Sequence, residues 1–253
     1  MPTVWELSAP YENFLVPVLP LAPAVCAVCH TSVVGGWQLC SQCSRARSML
    51  AATASAVGFT ALAVKGEQLA RDLWVYKNGP SDGIRWPPRL GLAAVLWRSI
   101  DIHERCLAAA ARVPGFSVVT TVPSTSGRAD EPIAALAGMI GATQGRYQRL
   151  LSSNPQVPNT RDPRSDRYVA VRSLTGESVL LLDDTWTSGA HAQSAAATLR
   201  AVGAQAVGIW AIGRHFNREQ PGEYGEAAER YYRHARALGW AWERCCLCDN
   251  RPT

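Results

Sequence analysis

The chain has 253 residues, 47% hydrophobic and 18% charged, with a formal net charge of +5. That length suits one large α/β domain, or one domain with a small module. The charge is too modest to mark a nucleic-acid binder by itself, and no segment is long and apolar enough to span a membrane. Lysine occurs only at Lys65 and Lys77, so the basic residues are almost all arginine. We read this as the composition of a GC-rich genome rather than as phosphate recognition, which makes the two lysines individually informative.

In chain order, residues 1–25 read as an irregular lead-in. Its apolar stretch, FLVPVLPLAPAV, holds three prolines and has Glu6 and Glu12 but no Lys or Arg upstream. It is therefore no secretory signal, and a cytoplasmic protein with reduced cysteines is expected. Four cysteines fall within residues 26–43. Residues 51–64 (AATASAVGFTALAV) suit a strand or hairpin, and 68–76 a short helix ending at Asn78-Gly79. SDGIRWPP reads as a loop because of its breakers. A long helical pattern then runs to about Arg112, with Leu92, Val95, Leu96, Ile100, Cys106 and Leu107 on its apolar face. FSVVTTV is a predicted strand, PSTSGRADEP a loop, and 133–140 a helix. Residues 141–167 show no period, and a structureless stretch of that length in a compact domain is usually functional or mobile. A strand over 177–182, a helix over 190–202 and a strand over 205–212 imply a parallel pair with a crossover helix. A helix over 226–238 and the tail WAWERCCLCDNRPT close the chain.

Residues 179–190 read VLLLDDTWTSGA. An apolar run suited to a strand buried on both faces drives into two carboxylates, which repel each other and are costly to desolvate. They are tolerable facing a cleft, where they accept hydrogen bonds from hydroxyls or share a cation; a sugar diol offers two such donors. Thr185, Thr187, Ser188 and Gly189 follow, then a helix whose N-terminus carries free N–H groups and partial positive charge, a cradle for phosphate. Thr or Ser before a helix is usually only a cap, and Asp at a strand end only a turn. The ordered combination is far less ordinary, and it fits a ribose 5-phosphate. Ligands of parallel sheets sit beyond the carboxyl ends of the strands, where Asp183 and Asp184 are expected. Neither GxGxxG nor GxxxxGK[ST] follows any predicted strand.

Cys26-x-x-Cys29 and Cys40-x-x-Cys43 are separated by ten residues. Paired knuckles at this spacing predict a four-thiolate Zn2+ site, structural because four protein ligands leave no open position. It lacks a basic rim, since Arg45 and Arg47 come only after it. Cys245, Cys246 and Cys248 leave three readings open: a second metal site with His234, a contact with the first site, or a tail of spare thiols, the last preferred. Cys106 reads as core on the long helix. Trp240 and Trp242 are placed to anchor the tail, and His30, His103 and His215 have no evident partners in the sequence.

VLLLDDTWTSGA resembles the phosphoribosyl-diphosphate (PRPP) motif of type I phosphoribosyltransferases: four apolar residues, two acidic ones, then a Thr/Ser-Gly turn. With the N-terminal cysteines, the chain over roughly residues 14–215 resembles the ComF/GntX-like subfamily, named for a competence protein. The resemblance implies a type I phosphoribosyltransferase-like parallel sheet flanked by helices (51–215), a zinc-ribbon-like module (1–50), and a C-terminal helix with a Cys-rich tail (216–253). It implies that Asp183 and Asp184 hold the ribose 2- and 3-hydroxyls. Thr185, Trp186, Thr187, Ser188, Gly189 and Ala190 would wrap the 5-phosphate, with His191 where the motif normally ends in Thr or Ser. Val122, Pro123, Ser124 and Thr125 fall at the pyrophosphate loop, followed by Arg128. Residues 145–167 fall at the mobile catalytic loop, where Arg161 and Arg164 would reach pyrophosphate bidentately. Asp183, Asp184, Arg161 and Arg164 are thus the implied catalytic set, and Lys77 matches a lysine common in the subfamily. The Arg-Gly-Phe-Asn run usual after the pyrophosphate loop is absent; RADEP stands there.

The implied chemistry is displacement at ribose C1, pyrophosphate leaving as a nitrogen nucleophile arrives, with Mg2+ on the pyrophosphate. Implied partners are PRPP and an acceptor that the sequence leaves unnamed, no membrane, and a homodimer as one option. Two alternatives stand beside transfer: a PRPP or nucleotide sensor without turnover, and a DNA-uptake accessory. Nucleic-acid binding follows from the family name and from no residue.

Overall fold

A computed structural model describes residues 2–124 and 131–248. Its centre is a four-stranded, fully parallel sheet in the order β1-β6-β5-β2, with β1 Ala56–Val64, β2 Val118–Thr121, β5 Ser178–Trp186 and β6 Ala206–Phe216. Helices α3 (Gln68–Asn78) and α4 (Asp82–Ala110) carry the chain from β1 at one edge to β2 at the other. From there β5, α7 (Ala190–Ala201) and β6 work back toward β1. The fold is thus α/β, as the sequence predicts.

The apolar strands are buried because both faces are covered. Successive side chains of a strand point to opposite faces. Val179 and Leu181 of β5 pack with Ala192, Ala195 and Leu199 of α7. Leu180 and Leu182 pack with Leu69 and Leu73 of α3 and with Leu92 and Leu96 of α4. Cys26, Cys29 and Cys43, the last in α2 (Ser41–Met49), belong to the same apolar cluster as Val57 and Phe59 of β1, so the N-terminal cysteine segment lies directly on the sheet.

Several expectations need correction. Residues 1–25 contain α1 (Val4–Ser8) and a 3-10 turn (Ala9–Asn13). Thr3 and Glu6 close a capping box at the start of α1, a Thr-x-x-Glu signal legible in the sequence. SDGIRWPP is no loop: α4 begins at Asp82 and runs through Pro87 and Pro88. The two missing N–H groups remove bonds only in a first turn where Asp82, Gly83 and Ile84 are exposed, so water satisfies the carbonyls and the usual penalty for internal proline is softened. The region 141–167 holds α6 (Gly141–Gln144) and β3 (Leu151–Ser153), which pairs antiparallel with β4 (Tyr168–Ala170). The acidic pair lies within β5 rather than after it, since Asp183 pairs with Ala211 and Trp186 with Arg214. α5 (Pro132–Met139) stands where a helix is predicted, and α8 (Gly222–Leu238) starts four residues early. Trp242 is buried and donates its indole N–H to Glu12, anchoring the tail as expected. No helix among the described residues is long and apolar enough to cross a membrane.

Candidate functional site

β2 stops opposite Leu182, whereas β5 continues to Trp186. Beyond Leu182 one side of β5 therefore has no strand beside it among the described residues, and a cleft of about 440 Å³ opens there. Val122, Pro123 and Ser124 line it after β2; Asp183, Asp184 and Thr185 line it from β5. Thr187, Ser188, Gly189, Ala190 and His191 line it from the turn into α7, and Lys77 and Arg161 complete its cationic lining. Thr125 and Arg128 lie outside the described residues. The cleft sits at the carboxyl ends of parallel strands, where open α/β sheets take ligands.

The turn has a specific requirement for glycine. Gly189 has φ +77°, and a Cβ there would lie 2.1 Å from the Trp186 ring. Trp186 itself does not line the cleft; it is 1% exposed and supports the turn from beneath. Gly189 brings no side chain to cap α7; the Ser188 hydroxyl accepts from the Ala190 N–H at 3.3 Å instead, and both Ser188 and the helix start line the cleft. Gly189→Ala combines left-handed strain with overpacking, and we expect it to lower stability by about 3 kcal/mol, read as a lowered denaturation midpoint.

The two aspartates are not equivalent. Asp184, 9% exposed, accepts from the Tyr76 hydroxyl and from Lys77 Nζ at 2.8 Å. It faces the α3 side of the sheet. Asp183 accepts from the Asp184 backbone N–H at 2.9 Å. Burial pushes its carboxyl up to about 7, the Asp184 charge adds to this, and Lys77 opposes it. The folded state retains a proton that the unfolded chain, at its ordinary 3.8, has released. Stability contributed by Asp183 is therefore lost as pH rises from about 4 to about 7. We expect Asp183→Asn to flatten that slope in denaturation midpoints measured across the window, relative to wild type.

The loop before β4 is held by residues that sequence reasoning missed. Arg167, 1% exposed, donates through Nη2 to the carbonyls of Thr160 at 2.9 Å and Asp162 at 2.8 Å. It thereby fixes the segment carrying Arg161. Its Nε and Nη1 have no hydrogen-bond partner among the described residues, and its charge acts on His191 at the first turn of α7. Tyr168 places its hydroxyl 3.4 Å from Pro123 O and 3.3 Å from His191 Nδ1, tying the segment after β2 to the first turn of α7. Burial lowers the His191 imidazole to about 4, and the Arg167 charge acts in the same direction. His191 is therefore neutral near pH 7. The Tyr168 hydroxyl has one proton to give: donated to Nδ1, it leaves Nε2–H as the ring's donor. Arg164 is not part of the cleft lining. Its guanidinium pairs with Asp166 at 2.7 Å and its backbone N–H donates to Ser194 Oγ at 2.8 Å.

The four N-terminal cysteines form a cluster whose Sγ atoms lie within 4.8 Å of one another, with Cys29 and Cys40 sulfurs 3.6 Å apart. The Cys40 N–H donates to Cys26 Sγ at 3.3 Å. Sharing of hydrogen bonds with its neighbours holds the Cys26 thiol well below its usual range and pushes Cys40 and Cys43 above it. Deprotonating all four together requires a cation among them. The geometry is consistent with structural zinc, and the residues present fit a closed four-thiolate site.

Arg214 connects this cluster to the cleft. It is buried in β6, donates Nε to Cys29 O at 3.0 Å and Nη2 to Cys29 Sγ at 3.4 Å. Nη1 donates to the carbonyls of Trp186 and Thr187, each at 3.2 Å. One guanidinium thus offsets thiolate charge and fixes the turn that follows the acidic pair.

A second cleft of about 570 Å³ adjoins the first, sharing Lys77, Asp184, Thr185 and Thr187 and adding Lys65, Glu67 and Trp74. Trp74 is 60% exposed. No protein-family model matches the chain, and no curated protein matches it significantly.

Proposed function

We propose that the chain is a type I phosphoribosyltransferase-like protein of the ComF/GntX-like kind, which binds PRPP with Mg2+ and transfers or releases its ribose 5-phosphate group. One observation carries the reading: a single cleft brings together a carboxylate on β5 and a glycine-turned helix start, which are complementary to a sugar diol and to a phosphate. Both line one cleft of about 440 Å³. Ser124, Lys77 and Arg161 line the same cleft and suit the pyrophosphate end.

Asp183 is the carboxylate suited to the ribose hydroxyls, because Asp184 is engaged with Tyr76 and Lys77. The raised Asp183 carboxyl is of the type that a cation or a pair of hydroxyl donors returns to its charged form. Bound Mg2+ would neutralise charge on the departing pyrophosphate while keeping most of its waters. The work left to the chain is positioning and electrostatic stabilisation. The α7 start fixes C5, Asp183 fixes the ring, and Lys77 and Arg161 face the leaving group. The acceptor, a nitrogen nucleophile, would approach from the adjoining cleft, where the exposed Trp74 ring offers a stacking surface for a planar base.

A PRPP or nucleotide sensor is the second reading, favoured by the pairing of Arg164 with Asp166, which removes one expected cation from the leaving group. Pyrophosphate release separates the two. Wild-type protein incubated with PRPP, Mg2+ and a panel of nitrogenous bases should release pyrophosphate with at least one base. Stabilisation by PRPP without release from any would favour the sensor.

A further inference from the structure

A second cluster of metal-ligating atoms lies far from the first in sequence. His103, Cys106, Cys245 and Cys248 bring one ligand atom each within 4.8 Å of the others. This corrects the expectations for these residues: Cys106 is half-buried rather than core, His234 is exposed on α8, and the tail thiols meet α4 instead of standing spare. His103 and Cys106 are three residues apart on α4, hence on one face. Cys245 and Cys248 sit in a turn closed by the Cys248 N–H on Cys245 O at 3.2 Å.

We propose that His103 Nδ1 and the thiolates of Cys106, Cys245 and Cys248 bind a second zinc ion, which staples the C-terminal segment to α4. Four observations carry this. The distances fit: Cys106 Sγ to Cys248 Sγ is 3.5 Å, Cys106 Sγ to His103 Nδ1 3.8 Å and Cys248 Sγ to His103 Nδ1 3.6 Å. A tetrahedron with Zn–S bonds of about 2.3 Å has edges of about 3.8 Å. The imidazole is set for the role, because His103 Nε2 lies 2.6 Å from Trp242 O. A ring N–H donated to that carbonyl leaves Nδ1 with its lone pair toward the sulfurs, the usual outer partner of a metal-bound histidine. The ring is further fixed by stacking on Trp210 at 6.0 Å. Finally, the Leu247 N–H donates to Cys245 Sγ at 3.4 Å, repeating the N–H-to-sulfur contact at Cys26 in the first cluster.

The donor set also selects the metal. Three soft thiolates and an imidazole in a closed tetrahedron suit zinc. Loading releases three thiol protons to solvent and leaves the site with one net negative charge, which the nearby Arg105 charge partly offsets. The rival chemistry is a disulfide between Cys245 and Cys248, whose sulfurs are 3.1 Å apart.

The test is metal stoichiometry of the full chain, purified with reductant and counted by elemental analysis and native mass spectrometry. Wild type should hold two zinc ions. Cys245→Ser with Cys248→Ser should hold one, as should Cys26→Ser with Cys29→Ser. Because those variants risk misfolding, His103→Cys gives an independent reading: it keeps two metals, and its cobalt-substituted form gains thiolate-to-metal absorbance over wild type. A wild type with one zinc that the Cys245/Cys248 variant retains, or a Cys245–Cys248 disulfide in the peptide map of wild type, overturns the proposal.

Discussion

Asp183→Asn together with Asp184→Asn should abolish calorimetric binding of PRPP in the presence of Mg2+. The singles should separate. Asp183→Asn removes a carboxylate that we assign to the ribose hydroxyls, and each charge-assisted hydrogen bond lost is worth about 1.5–3 kcal/mol, a weakening of about 10- to 100-fold. Asp184→Asn acts through its neighbours. The Tyr76 hydroxyl and Lys77 Nζ both point at this carboxylate, so an amide removes the charge from both contacts at once. Its effect on stability should therefore exceed that of Asp183→Asn, whose parent carboxylate is already strained toward the protonated form. Affinity unchanged in the double variant would remove Asp183 and Asp184 from the site.

Arg214→Met should be the most damaging single change outside the cleft. The guanidinium serves carbonyls of Cys29, Trp186, Thr187 and His215 and the Cys29 sulfur at once. Removing a buried charge from such a network typically costs about 3–5 kcal/mol. Two further readouts distinguish its role from simple packing. The zinc site should lose affinity, because the thiolates lose their compensating charge, and PRPP affinity should fall, because the turn after Trp186 loses two of its fixing bonds. Arg214→Lys should rescue neither, since an ammonium cannot reach both sides as a planar fork does. A Met variant with full zinc content and wild-type PRPP affinity would show that cluster and cleft are independent.

The parallel core was legible because burial on both faces writes unbroken apolar runs, as in residues 179–182 and 206–212. The knuckle spacing of Cys26, Cys29, Cys40 and Cys43 was legible for a related reason: short chelate arms are local. Proline misled at residues 81–88, because a breaker signal cannot show that the turn it interrupts is solvated. β3 and β4, three residues each, are too short to carry a period. Arg214 was invisible because nothing local distinguishes a buried arginine at the end of a strand from an exposed one; its partners lie 28 and 185 residues away. The second cluster left half a signal on each side, His103-x-x-Cys106 and Cys245-x-x-Cys248. Only the packing of Trp242 and the tail on α4 joins the halves.

The most direct test of the central claim is a crystal structure of the wild-type protein grown with PRPP and Mg2+. The account predicts the 5-phosphate over the start of α7, beside Thr187 to Ala190, with the ribose hydroxyls on Asp183. Well-ordered crystals with the cleft open and no ligand density there, or with PRPP bound elsewhere on the molecule, would contradict it.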